Sequence, residues 1–145
     1  MPTRRKSNRK SPPADASATS CPVCPALRIV TLPRDTNQYG TIFGGVILSY
    51  IDQAGFIEAR KHGVHRWVTV ALDTVVFHAP VLVGDVVNFF TATKRLGRTS
   101  VTVEVVVVAE RYNSETQVEV TRASITLVSV DAAGTPIPFK SKPTV

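Results

Sequence analysis

Hydrophobic and polar residues follow regular patterns from about residue 26 to the end of the chain, and these patterns predict one helix among several strands. The clearest strand is 99–110, where Val101, Val103, Val105 and Val107 recur at every second position and therefore share one face. Glycine, proline and asparagine separate the patterned segments as turn signals. The predicted strands are 27–32, 67–77, 86–95, 99–110 and 118–130, and the predicted helix is 44–62.

The single helix is followed by long strands that short turns connect, which favours an antiparallel sheet and the α+β class. At about 100° per residue, the apolar residues of the helix fill a broad arc, and Val46 and Ile57 lie on the far side of the axis. A helix that is apolar nearly all round is typical of a buried one. We therefore expect the sheet to curl around this helix, with Gly63 as its C-terminal cap.

The length of 145 residues favours a single domain, and the net charge of +6 raises the question of a nucleic-acid partner. The first twenty residues hold +4 of that charge, so the body of the chain is almost neutral. Segment 1–25 is basic and rich in serine and proline, which predicts a disordered tail before a domain at 26–145. A basic tail on a nearly neutral body argues against nucleic acid as the partner.

The sequence contains neither a candidate membrane span nor a secretory signal, because its apolar runs are short and none follows the basic residues of the tail. The expected location is therefore the cytoplasm. Cys21 and Cys24 form a C-x-x-C pair in a proline-rich stretch. Two thiols cannot complete a tetrahedral zinc site, so we interpret them as structural or incidental and expect no bound metal.

Asp52 is the first candidate for chemistry, because the helix places it beside Leu48, Gly55 and Phe56 at the edge of the apolar arc. A carboxylate that is partly desolvated there would have a raised pKa and would be a better base. The polar loop 35–43 runs into the helix through Gly44 and Gly45. Backbone N–H groups at such a helix start can hold a negative oxygen, as an oxyanion hole requires.

A cationic turn is the third candidate site. Phosphates favour turns in which arginine and lysine supply charge while hydroxyl and backbone N–H groups supply direction. His62, His65 and His78 have no metal-binding spacing, and no Gly-x-Ser-x-Gly motif is present. The turn, defined here as the cationic turn, consists of Lys94, Arg95, Leu96, Gly97, Arg98, Thr99 and Ser100.

Together these motifs resemble the hotdog-fold acyl-CoA thioesterases of the YciA-like group. The resemblance begins with Thr36-Asn37-x-x-Gly40-x-x-Phe43-Gly44-Gly45, followed by Asp52 seven residues after the second glycine. It continues through Val68-Thr69-Val70, Phe77-x-x-Pro80-Val81-x-Val83-Gly84-Asp85-Val86-Val87 and Gly97-x-Thr99-Ser100, and it covers about residues 26–139. Each motif alone is weak, but the combination is specific.

The resemblance implies a long helix wrapped by a curved antiparallel sheet, with two subunits paired edge to edge and often assembled into trimers of dimers. It implies hydrolysis of acyl-CoA without a cofactor, since coenzyme A is part of the substrate. Asn37 and Asp52 correspond to the catalytic pair, which meets across the dimer interface. Gly44 and Gly45 correspond to the oxyanion hole, and the cationic turn to the part that meets the CoA nucleotide.

Two alternatives stay open at this stage. A hotdog dehydratase or hydratase would use a histidine with a carboxylate, and loop 35–43 contains no histidine. A non-catalytic acyl-CoA-binding regulatory protein would lack turnover. The acyl chain length is not readable from the sequence, although Leu48, Phe56, Phe77 and Phe89 are candidates to line the acyl tunnel.

Overall fold

A computed structural model describes residues 23–143 and Val145. The predicted tail at 1–25 and Cys21 therefore lie almost entirely outside the described residues, and Cys24 is exposed. In the described part, a short 3-10 helix at Pro33–Asp35 precedes the α-helix, and no helix there is long and apolar enough to cross a membrane. The elements are β1 (Leu27–Val30), α1 (Gly44–Arg60), β2 (Arg66–Phe77), β3 (Val86–Leu96), β4 (Ser100–Glu110) and β5 (Gln117–Val130).

The five strands form one antiparallel sheet in the order β1-β3-β4-β5-β2, and α1 packs against its inner face. This confirms the α+β class and the single helix. The inner face is built by alternation, since Val101, Val103, Val105 and Val107 of β4 are all fully buried. Strand β2 lies at one edge of the sheet, which leaves its outer backbone groups without a neighbouring strand in the described chain.

Two expectations about the helix are wrong. It ends at Arg60 rather than at residue 62, because the next amide N–H groups bond to carbonyls three residues back: Lys61 to Glu58, His62 to Ala59 and Gly63 to Arg60. Nor is the helix buried all round in one subunit. Its buried residues lie on one face, whereas other residues, including Ser49, Asp52, Gln53 and Phe56, are exposed. The predicted apolar arc was too broad because it counts apolar residues of α1 that are only half-buried, such as Val46 and Ile57.

Close packing fixes α1 on the sheet. A Cβ atom added at Gly55 would stand 2.7 Å from Cγ2 of Ile125, so only glycine allows this approach without a shift of the core. Ile47 and Ile51 are buried on the same face of the helix. The position of every α1 side chain relative to the sheet follows from this contact.

A buried carboxylate organises the end of the sheet where loop 35–43 is attached. Asp85 is fully buried and forms an ion pair with Arg111 at 2.5 Å. Its carboxylate also accepts hydrogen bonds from the backbone N–H groups of Leu82 at 2.9 Å and Tyr112 at 3.3 Å. The backbone carbonyl of Asp85 accepts a hydrogen bond from the Thr31 N–H at 3.1 Å. Asp85 therefore ties the segment that follows β1 and the segment that precedes β3 to the start of the β4–β5 turn.

A second buried carboxylate, Glu58, joins the C-terminal half of α1 to β3. It accepts hydrogen bonds from the hydroxyl groups of Thr91 and Thr93, each at 2.9 Å, and from Lys61 Nζ at 2.5 Å. The Thr93 oxygen in turn accepts from His62 Nε2 at 2.8 Å, because its own proton goes to Glu58. Burial raises the pKa of Glu58, but the hydrogen bonds from Lys61, Thr91 and Thr93 outweigh it and hold the pKa below its ordinary value.

We expect Glu58→Gln to lower the free energy of unfolding by about 2 kcal/mol at pH 7, since the charge-assisted hydrogen bonds are lost. Because the folded pKa is depressed, this stabilisation is complete above the ordinary glutamate pKa of about 4.3 and is lost as the pH falls through the folded value. Urea unfolding at pH 7 and pH 3 should therefore show a difference from the native protein that shrinks at pH 3. The same substitution at the exposed Glu115 is the control and should have little effect at either pH. An equal loss at both pH values for Glu58→Gln would contradict the account.

Candidate functional site

The loop before α1 is a defined structure that Asn37 holds in shape. Its side-chain Oδ1 accepts hydrogen bonds from the backbone N–H groups of Tyr39 at 2.9 Å and Thr41 at 3.2 Å. Its Nδ2 donates to the Thr41 hydroxyl at 2.9 Å. Because Oδ1 accepts two hydrogen bonds within the loop and one Nδ2 proton bonds to Thr41, the second Nδ2 proton is the group of this side chain that can donate to a ligand. Gly40 provides the left-handed backbone (φ 80°) that this tight turn needs.

The loop leads into the start of α1 at Gly44 and Gly45. Phe43 is the N-cap residue and contributes no side-chain hydrogen bond to the helix. The N–H groups of the first helical residues have no intrahelical acceptor by geometry, and here the described residues supply no capping side chain. No atom lies within 4 Å of a Cβ built on Gly45, so a ligand has room to approach the backbone. The Val46 N–H donates to the Phe43 carbonyl at 3.0 Å, which leaves the N–H groups of Gly44 and Gly45 as the ones that a ligand could reach.

An apolar cleft of about 310 Å³ opens beside this helix start. Gly44 and His78 line this cleft, and the ring of Phe77 stands 3.4 Å from a Cβ built on Gly44. The remaining lining residues are apolar: Ile42, Ile47, Phe77, Ala79, Pro80 and Val81.

Asp52 lies about 10 Å further along α1 from Gly45, at 1.5 Å per residue. Its Oδ1 accepts a hydrogen bond from the Thr69 hydroxyl on β2 at 2.5 Å. In one subunit Asp52 is exposed, so the expected partial desolvation is absent there. Thr69 is a partner that the sequence indicated only as part of the Val68-Thr69-Val70 motif, although strand alternation places it on the inner face of β2, towards the helix.

The open edge of β2 lies beside both ends of this site. Asp52 is held by Thr69 in one half of the strand, whereas Gly44 contacts Phe77 at the other end. The edge strand is also apolar and exposed, which is unusual for an unpaired edge in water. Its exposed large apolar residues are Val68, Val70, Leu72, Val76 and Phe77.

The cationic turn joins β3 to β4 at the same end of the sheet as Thr69. The strand register places Leu96, Val101, Leu127 and Thr69 in one row across the sheet. The turn is tight because a Cβ built on Gly97 would stand 2.4 Å from the Ser100 hydroxyl oxygen. The Thr99 carbonyl accepts a hydrogen bond from the Ser129 N–H at 2.8 Å, which anchors the turn to the end of β5.

The cations of this turn differ in how far they are already engaged. Lys94 Nζ lies 3.1 Å from Oε1 of Glu104, and its hydrogen bond is the main cause that lowers the pKa of Glu104. Arg95 and Arg98 are exposed and form no ion pair with any described residue. Arg95 and Arg98 are therefore the two cations of the turn whose side chains are available to pair with an anionic ligand.

The histidines do not form a metal site in the part of the chain that the structure describes, which contains no cluster of three or more metal-binding side chains. His62 bonds to Thr93, and His65 Nε2 donates to the buried Phe139 carbonyl at 2.8 Å. His78 is exposed on the wall of the cleft. Two of the three imidazoles are therefore held in the packing around the C-terminal end of α1.

Within one subunit, the predicted site residues have different partners. Gly44 lines the cleft, and Asn37 lies in the loop that leads to it through Ile42, whose N–H donates to the Val81 carbonyl at 2.9 Å. Asp52 is bonded to Thr69, in the row that ends at the cationic turn. No hydrogen bond joins Asn37 to Asp52 in the described part of the chain: Asn37 bonds within its loop.

Comparison with known proteins assigns this chain and its fold to a family. The model of the thioesterase superfamily matches residues 39–116, which is more than half of the chain. The acyl-CoA thioester hydrolase YciA of Escherichia coli is 37% identical over 113 residues, covering 76% of this chain and 86% of the relative. An uncharacterized acyl-CoA thioester hydrolase of Zymomonas mobilis is 43% identical over 81 residues, which cover 56% of this chain and 54% of that protein.

Solved structures agree with the sequence matches. A hexameric hotdog-fold thioesterase of Campylobacter jejuni superposes with a TM-score of 0.76 and 44% identity, over 80% of this chain and 90% of that one. The hotdog fold that the resemblance implied is therefore confirmed, as is the thioesterase family. The chain belongs to the thioesterase superfamily, in the group of hotdog-fold acyl-CoA thioester hydrolases.

Proposed function

We propose that this protein hydrolyses acyl-CoA to a free acid and coenzyme A in a site shared between two subunits. The observation that carries the proposal is the open β2 edge, which has Asp52 beside one half and the Gly44 helix start beside the other. The similarity to named acyl-CoA thioester hydrolases supports the reaction. The cytoplasmic location and the absence of a bound cofactor stay predictions.

The proposal of two subunits rests on where each group is held within one subunit. In one subunit Asp52 lies about 10 Å along the helix from Gly45. Its carboxylate is bonded to Thr69 in one half of β2. The helix start lies near Phe77 in the other half of the same strand.

Pairing two copies of β2 about a two-fold axis removes this separation. Antiparallel pairing reverses the partner strand, so the Thr69 half of one β2 lies beside the Phe77 half of the other. Asp52 of one subunit then faces the cleft of its partner, where Asn37 and Gly44 lie. The exposed apolar residues of β2 are buried by the same pairing. The hexameric assembly of the Campylobacter jejuni relative supports this proposal, and a trimer of dimers is its extension here.

The proposed chemistry is attack by water on the thioester carbonyl. Oδ1 of Asp52 is held by Thr69, so Oδ2 is the oxygen that takes a proton from the water. The N–H groups of Gly44 and Gly45, at the positive end of the α1 dipole, stabilise the oxyanion of the tetrahedral intermediate. The remaining Nδ2 proton of Asn37 orients the carbonyl or the water. Collapse of the intermediate expels the CoA thiolate, a good leaving group.

The cationic turn is the proposed contact for the CoA phosphates. It lies two to three strand spacings, about 10 to 14 Å, from β2, at the same end of the sheet as Thr69. Arg95 and Arg98 supply the charge, and Gly97, Thr99 and Ser100 shape the turn and offer hydroxyl groups. Because Lys94 is paired with Glu104, its contribution is smaller.

We expect Asp52→Ala and Asn37→Ala each to reduce kcat about a hundred-fold or more, since a base or an oriented reactant is lost. The measurement is CoA release, followed with a thiol reagent across acyl-CoAs from acetyl to palmitoyl. Gln53→Ala, at the exposed neighbour of Asp52, is the matched control and should retain native turnover. No release by the native protein, despite acyl-CoA binding, would replace the enzyme with the non-catalytic binding protein.

Mixing the two variants tests the shared site. In a heterodimer of Asp52→Ala with Asn37→Ala, one of the two sites combines the intact Asp52 and Asn37. Random mixing by refolding should therefore restore about a quarter of the native activity, although each variant alone is inactive. Absence of any recovery, with heterodimers shown by mass spectrometry, would place both residues in the same subunit's site.

A single turnover in H₂¹⁸O detects a mixed anhydride on Asp52 that is hydrolysed at the Asp52 carboxyl carbon. If Asp52 acts as a base, the first molecule of acid carries one ¹⁸O and Asp52 carries none. If Asp52 attacks the carbonyl, a mixed anhydride forms, and its hydrolysis at the Asp52 carboxyl carbon leaves ¹⁸O in Asp52. We expect label in the product alone, and label in the Asp52 peptide would overturn the base mechanism.

Arg95→Ala and Arg98→Ala should each raise KM for acyl-CoA by about three- to ten-fold, because an exposed charge-assisted contact to a phosphate is lost. Lys94→Ala should have a smaller effect. Acyl-pantetheine thioesters lack the nucleotide, so their kcat/KM should not change in any of these variants. An equal loss with the pantetheine substrates would remove the turn from CoA binding.

A further inference from the structure

We propose that the apolar cleft beside Gly44 receives the acyl chain and that Phe77 determines which chain length is preferred. This inference rests on the proposed function, because it assigns a further part of the substrate to the same site. It selects one residue among four candidates that the sequence could not rank.

The cleft lies where an acyl chain would begin. Gly44, whose N–H is a proposed oxyanion donor, is itself part of the cleft wall. The Phe77 ring stands 3.4 and 3.5 Å, by two of its carbon atoms, from a Cβ built on Gly44. A thioester carbonyl held at the helix start therefore has its first methylene groups next to this ring.

The chemistry of the cleft favours an unsubstituted hydrocarbon chain of medium length. Its lining is apolar apart from the exposed imidazole of His78 and the backbone. A methylene group occupies about the volume of a water molecule, roughly 30 Å³. The cleft of about 310 Å³ is therefore large enough for a chain of several methylene groups.

Phe77 is the one of the four candidates that lines the cleft. Phe89 is fully buried in the core against Tyr50, with ring centroids 5.8 Å apart, so it supports the fold. Leu48 and Phe56 lie on α1 and are absent from the cleft wall. Phe77 is 43% exposed in one subunit, so a shorter side chain leaves no cavity in that subunit's core. Because the proposed β2 pairing covers this residue, the oligomeric state of each variant is compared with that of the native protein.

The test is a profile of kcat/KM against chain length, from C2 to C16, for the native protein, Phe77→Ala, Phe77→Leu, Phe77→Trp and Phe56→Ala. Phe56 has the same side chain and a similar exposure of 39%, so Phe56→Ala is the matched control. In the native protein, kcat/KM should rise by about four-fold per added methylene up to the medium range and then level off or fall. In Phe77→Ala the maximum should move to longer chains by at least two carbons, with a smaller move in Phe77→Leu. Phe77→Trp should move it to shorter chains.

Each outcome bears on one claim. No CoA release by the native protein at any chain length would refute the proposed function itself. Native activity with an unchanged profile in all three Phe77 variants, or an equal shift in Phe56→Ala, would refute the role of Phe77. If a Phe77 variant is inactive but folded, its role is read from the chain-length dependence of acyl-CoA affinity, measured by calorimetry in the Asp52→Ala background. An affinity profile that does not depend on the residue at 77 refutes the proposal as well.

Discussion

The contact between α1 and the inner face of the sheet is the constraint on which the rest of the molecule depends. Gly55 brings the helix so close to Ile125 that a single added carbon atom would force a shift. This approach fixes the rotation of α1 about its own axis, and the rotation decides which side chains face outward. With Ile51 buried, the next residue, Asp52, points to Thr69 on the edge strand rather than into the core. The first turn of the same helix, at Gly44, lies next to Phe77 at the other end of that strand.

Two buried carboxylates hold this arrangement at either end. Asp85 fixes the segment at Leu82 that pairs with loop 35–43. Glu58 joins the C-terminal half of α1 to β3. Buried charges are costly unless they are paired and hydrogen-bonded, and both groups meet that condition with several donors. Their partners come from distant parts of the chain, such as Arg111 for Asp85 and Thr91 for Glu58. They therefore specify one arrangement of loop, helix and sheet rather than adding general cohesion.

The sequence was informative where a pattern repeats and silent where partners are distant. Alternation identified β4 with its four inward-facing valines, and glycine spacing identified the helix start at Gly44, because both are local properties. The end of α1 was placed two residues too late, since the change to bonds three residues apart leaves no signal in apolar periodicity. Thr69 was not recognised as a partner of Asp52, because a hydrogen bond across seventeen residues depends on how the helix packs. The exposure of Asp52 was also missed, since the pattern describes an arc and not what covers it.

The open β2 edge has a consequence for a subunit that has not yet assembled. An unpaired strand with exposed valines is a template on which another extended chain can pair, and between its first residue and its end β2 has no proline and a single charged residue, Asp73, to discourage this. Under the proposed pairing of two β2 strands, a newly made subunit must find its partner before this edge binds another extended chain. Assembly would then compete with aggregation, and a damaged edge would lower solubility and activity together.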